Sequence, residues 1–178
     1  MKQWQQNMAN YFTSPFNWRL AVAFTIGLVA SALFMDFEFI AGIVKYHSFT
    51  KAFSEILASL TGAIIQLLGY NISIDGNAIW FTPTNGVYFA FGCLGYRELI
   101  WFTLFILFAP GPFKHKFWYI PVGMILIEFS NILRAASIAI SNYHSPQTFD
   151  IINAQGTLWF VYGTLLALWI IWLQFFKK

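Results

Sequence analysis

One cysteine and four charged residues stand inside apolar stretches: Cys93, Arg97, Glu98, Glu128 and Arg134. A thiolate is the reactive form of cysteine, and nearby cations and a helix start both favour it. Arg97 follows Cys93 at i+4, which places the two on one face of a helix running through both. Arg134 precedes Ser141 by seven residues, about 10 Å below a helix end at Ser141. Ser130, Arg134, Ser137 and Ser141 fall at i, i+4, i+7 and i+11, a narrow polar stripe with Asn131 beside it. Such a stripe faces a cavity rather than lipid. The chemistry these types can support is attack by the Cys93 thiolate on a carbonyl, with guanidinium groups stabilising the thiolate or the oxyanion. The bland alternatives are an inert, packed Cys93 and an ion pair between Arg134 and Glu98 across two helices.

The elements that hold these residues must be apolar. Of 178 residues, 58% are hydrophobic and 10% charged, against about 25% charged in an ordinary soluble domain. Mean hydropathy is +0.62. Those values exclude a soluble enzyme domain, a disordered tail and a nucleic-acid-binding module, and describe a chain whose solvent is lipid. The net charge of +3 sits mostly at the ends and in one loop, as topology signals do. A single cysteine excludes an internal disulfide.

The expected fold class is an all-α integral membrane helical bundle, with about four transmembrane helices, an outer amphipathic helix and a small β-hairpin. The whole of 1–178 forms one membrane domain. The spans are 18–35, 93–109, 117–140 and 156–176. Residues 49–70 carry Lys51, Glu55 and Gln66 among apolar positions at helical spacing, which suits a helix lying at the interface. Residues 71–82 alternate around Asp75-Gly76 as a hairpin does, and a hairpin must stay outside hydrocarbon. Ala30-Ser31-Ala32 is similar to a signal-peptidase site, but the apolar run continues past it, so the first span is read as an uncleaved anchor. Lys2 and Arg19, Lys114 and Lys116, and Lys177 and Lys178 all fall on the cytoplasmic side if four spans cross.

Gly86-Val-Tyr-Phe-Ala-Phe-Gly-Cys93-Leu-Gly-Tyr-Arg97, followed by Asn131-Ile-Leu-Arg134, resembles the exosortase/archaeosortase family over roughly residues 50 to 175. Phe149-Asp150, Tyr162-Gly163 and Trp169-Ile-Ile-Trp172 look most like the short exosortases of Bacteroidetes. The resemblance implies a multi-pass membrane cysteine transpeptidase acting on a C-terminal sorting signal of motif, hydrophobic helix and basic end. By position it makes Cys93 the nucleophile and Arg134 its cationic partner. Arg97, Glu98, Asn131 and Ser137 are the supporting or substrate-binding candidates. Leu94 stands where the family has a small polar residue. Asn153 stands where a third-member histidine is expected, and His144 on the same outer loop is the other candidate.

The expected function is thus a membrane cysteine protease or transpeptidase that cleaves a C-terminal sorting signal of exported proteins and transfers them to a cell-envelope acceptor. Its partners are the lipid bilayer and exported substrates, with no nucleic acid. Its location is a bacterial inner (cytoplasmic) membrane, with the site toward the outer face. A catalytically impaired relative acting in membrane assembly or binding is the alternative, distinguished by whether His144 or Asn153 reaches Cys93. A channel lined by the arginines would need a continuous polar path, for which Glu128 alone offers an inner half. Three scattered histidines, His47, His115 and His144, give no zinc set, and no cofactor is expected, since no P-loop or nucleophile elbow occurs.

Overall fold

The computed structural model describes residues 48–82, 85–145 and 156–176, with Val22, Thr25, Ile26, Gly27, Val29, Gln147 and Ile151. The expected span over 18–35 lies largely outside them. So does Asn153.

Among the described residues from Ser48 on, the elements follow in order. They are α1 (Ser48–Leu67), β1 (Ser73–Asp75), β2 (Ala78–Thr82), β3 (Asn85–Tyr88), a 3₁₀ turn over Phe91–Cys93, α2 (Tyr96–Phe108), α3 (Phe113–His144), a π-helical stretch over Thr157–Tyr162, and α4 (Gly163–Phe175). The strands pair antiparallel in the order β1-β2-β3. Asp75 faces Ala78 across the first turn, so the central pair is Gly76-Asn77, one residue later than Asp75-Gly76. Gly76 has φ +57°, the sign a II′ turn needs at its first central position. The third strand takes Val87 and Tyr88, ahead of the expected span.

Helix α3 is the spine. Its 32 residues give about 48 Å of axial length, more than the ~30 Å of a hydrocarbon core. Among the described residues it is the helix long and apolar enough to cross a membrane; Trp159–Phe175 is a shorter apolar helix. Two buried clusters meet on α3. The first joins Leu99, Phe102, Phe105 and Ile106 of α2, Tyr119 and Ile127 of α3, and Leu165, Leu168 and Trp172 of α4. The second joins Leu57, Ala58 and Ile65 of α1, Ile79 of β2, Leu94, and Ile132, Ala136 and Ala139 of α3. The changeover lies between Ile127 and Ile132. Around the first cluster, Phe117, Ile125 and Phe129 of α3 and Leu166, Ile170 and Phe175 of α4 are exposed, an outward apolar surface unsuited to water.

Helix α1 buries Thr50, Ser54, Ala58, Thr61 and Gly62. It leaves Ile56, Leu60 and Leu67 exposed. Leu57 and Ile65 are buried beside these small residues, so the buried face mixes sizes, and small side chains are what lets helices approach closely in lipid.

Helix α3 starts at Phe113, so Lys114, His115 and Lys116 form its first turn rather than a free loop. Lys116 is buried, and its Nζ donates to the backbone oxygens of Leu107 (2.7 Å) and Ala109 (2.6 Å). The last carbonyls of α2 lack intrahelical partners, and this ammonium supplies them.

Candidate functional site

Cys93 does not lie on α2. The chain passes through the 3₁₀ turn, then through Gly95 at φ +69°, before α2 begins at Tyr96. A left-handed residue interrupts the helix, so Cys93 and Arg97 do not share one helical face in the way i+4 spacing suggests. Leu94 is 1% exposed and belongs to the second buried cluster. A polar residue there would be buried in apolar surroundings, which accounts for the departure from the family pattern: Leu94 anchors the turn beneath Cys93. The thiol is free and half-buried.

Asn131 ties this turn to α3. Its Nδ2 donates to the Cys93 backbone oxygen (2.9 Å) and to Glu128 Oε2 (3.3 Å). The carboxylate of Glu128 reaches over Gly95: a Cβ at Gly95 would stand 2.6 Å from Glu128 Oε1. Gly95 is therefore required twice, for its positive φ and for the space. Arg134 follows Glu128 by six residues on the same helix α3. Its Cγ is also near Gly156, 3.2 Å from where a Cβ would sit.

A second group flanks the first. Arg97 Nη2 donates to Glu98 Oε1 (3.0 Å) and to the Tyr162 hydroxyl (2.7 Å), and Nε donates to the same carboxylate oxygen (3.2 Å). Glu98 is buried, while the Arg97 side chain is 46% exposed. Tyr162 ends the π-helical stretch, a form that recurs at functional sites. Sequence reasoning did not select Tyr162; it singled out Glu128 as an intramembrane charge but offered it only as the inner half of a channel, and its i−3 spacing from Asn131 was the available signal for this site.

The polar stripe on α3 divides. Ser130 Oγ shares a hydrogen bond with Thr164 Oγ1 (2.7 Å), and Ser137 Oγ donates back to the Leu133 carbonyl of its own helix (2.9 Å). Neither hydroxyl is directed at Cys93. His144 ends α3, ten residues past Arg134 and so about 15 Å further along the axis. Its Nε2 is 2.8 Å from the Tyr70 hydroxyl, and its ring meets Tyr70 and Tyr143 edge-on. The structure thus brings together Cys93, Asn131 and Glu128, with Arg134 one turn beyond Asn131 on α3 and Arg97, Glu98 and Tyr162 joined as a second group, while Ser137 and His144 make other contacts. Among the described residues no cluster of three or more His, Cys, Asp or Glu could hold a metal ion.

The site therefore sits where the two buried clusters meet. The family model described as transmembrane exosortase matches residues 10–176, nearly the whole chain. No curated protein and no solved structure matches. The chain belongs to the transmembrane exosortase family, which makes it an integral membrane protein with a transpeptidase-like role in general terms.

Proposed function

We propose that this exosortase family member is a cysteine transpeptidase that cleaves the C-terminal sorting signal of exported proteins. Cys93 Sγ attacks the scissile carbonyl carbon and a thioester forms as the peptide C–N bond breaks. The thiol proton leaves with the departing amine. An acceptor amine from the cell envelope, or water, then attacks the thioester, and the thiol is regenerated. Arg134, assisted by Arg97, stabilises the negative charge on the thiolate or on the carbonyl oxygen. The chain crosses a bacterial inner membrane several times, with the site facing outward, and the substrate's hydrophobic helix shares the bilayer.

The observation that carries this reading is the hydrogen bond from Asn131 to the Cys93 carbonyl. It joins the two short motifs, distant in sequence, at one place. The experiment is processing of a cognate substrate by Cys93→Ala. Loss of processing with insertion intact is expected, and unchanged processing would return Cys93 to a packing role.

One observation favours the second reading, a non-catalytic assembly or binding protein. His144 stands about 15 Å along α3 from Arg134 and contacts Tyr70 instead. On the catalytic reading Asn153 is then the third member by sequence position. Processing by a His144→Ala variant at the normal rate would support that assignment; absence of processing by the unmodified protein would support the assembly role.

A further inference from the structure

We infer that Glu128 is a positioning residue for Cys93, acting through the amide of Asn131; the inference rests on the reading of Cys93 as nucleophile. An asparagine amide presents two donors on nitrogen and an acceptor on oxygen, and can rotate end for end. Here Nδ2 faces two acceptors, the Cys93 carbonyl and Glu128 Oε2. Reversing the amide would set Oδ1 against two oxygens. Glu128 therefore fixes which end of Asn131 meets the Cys93 turn.

Three features make the carboxylate specific to this task. It is bound i to i+3 with Asn131 on one turn of α3, so its reach is short. It lies over Gly95, the position where a Cβ would collide with Oε1, so the turn that carries Cys93 leaves room for it. Its Oε1 is buried and has no hydrogen-bond partner among the described residues. Burying a carboxylate with one oxygen unmatched is unfavourable, and Leu or Ile at this position would join Ile127 in the core without that penalty. The residue type is explained by the acceptor it offers Asn131.

The test uses the full chain in detergent or reconstituted vesicles. The chain has one cysteine, so the rate of iodoacetamide alkylation reports Cys93 directly, with no substrate. Glu128→Gln keeps an acceptor for Asn131 and should alkylate within twofold of the unmodified protein. Glu128→Ala removes it and should shift the alkylation rate at least fivefold. With a processed substrate it should lower kcat at least tenfold with KM little changed. If Glu128→Ala does not fold, Glu128→Met, with similar volume and no carboxylate acceptor, carries the same expectation. A normal alkylation rate in Glu128→Ala or Glu128→Met would overturn the proposal, as would equal losses in Glu128→Gln and Glu128→Ala, which would assign the effect to charge. Failure of the transpeptidase reading itself would appear separately, as normal processing by Cys93→Ala.

Discussion

Asn131 donates its side-chain amide to the backbone carbonyl of Cys93 across 2.9 Å, linking α3 to the turn before α2. The bond is part-buried and spans 38 residues of chain, and its removal leaves a carbonyl without its donor. That penalty is about 1–3 kcal/mol. Asn131→Ala should insert normally yet lose at least tenfold in processing rate, because the turn carrying the thiol is no longer held. Asn131→Asp, which offers only acceptors when ionised, should be as poor or worse. A pulse-labelling assay of substrate maturation, alongside membrane fractionation, reads both. Processing at the normal rate by Asn131→Ala would mean the bond is incidental.

Much of this was legible before any coordinates, and the rest failed for identifiable reasons. The helical spacing over 49–70 predicted a helix, and Ser48–Leu67 is one. Which face it buries was not legible, because apolar spacing assumes the large side chains point inward together, whereas Ile56, Leu60 and Leu67 face out and Thr50, Ser54, Ala58 and Gly62 are buried beside Leu57 and Ile65. The i+4 relation of Cys93 and Arg97 assumed a continuous helix, and Gly95 at φ +69° breaks it; glycine after a short apolar run was the clue. Lys116 read as a topology signal, since a sequence does not reveal that α2 ends without partners for its carbonyls. Tyr162 meets Arg97 across 65 residues of chain, a separation no periodicity argument reaches.

Lys116 should matter to stability more than to orientation. It is 4% exposed and joins α3 to the end of α2 through two backbone carbonyls. Lys116→Met keeps the length of the side chain and removes the donors. We expect a loss of roughly 1–3 kcal/mol and a lower Tm in detergent, with Cys93 alkylation unchanged. Lys114→Met, at an exposed position on the same turn, serves as the control and should leave Tm within error. Equal Tm values for both variants would refute the capping role.

The three basic groups of the sequence set the expected membrane sidedness. Single cysteines at positions 75 and 115, in a Cys93→Ala background, should react with an impermeant maleimide from opposite sides of the membrane. Position 75 in the first hairpin is expected to label from outside intact cells, and position 115 only after permeabilisation. Labelling of both from one side would sink the four-span arrangement.

Arg134 is the cation we propose acts on Cys93 chemistry, and the competing account is an ion pair with Glu98. In the structure the Glu98 carboxylate accepts from Arg97 through Nε and Nη2, and Arg97 is held in turn by Tyr162. Glu98 is thus engaged by its own neighbour in sequence. If Arg134 served only to neutralise Glu98, removing both charges should restore what removing one destroys. If Arg134 instead clamps an oxyanion, the double change cannot help. We therefore expect Arg134→Gln to lose nearly all processing and the Glu98→Gln, Arg134→Gln pair to be no better. Arg134→Lys should retain little, since lysine keeps the charge but not the planar five-donor fork. Tyr162→Phe, which removes one partner of Arg97 and leaves Arg134 untouched, should lose only a few-fold. Recovery in the double variant to near the Glu98→Gln level would assign Arg134 to a structural pair and leave Arg97 as the remaining cation for the reaction.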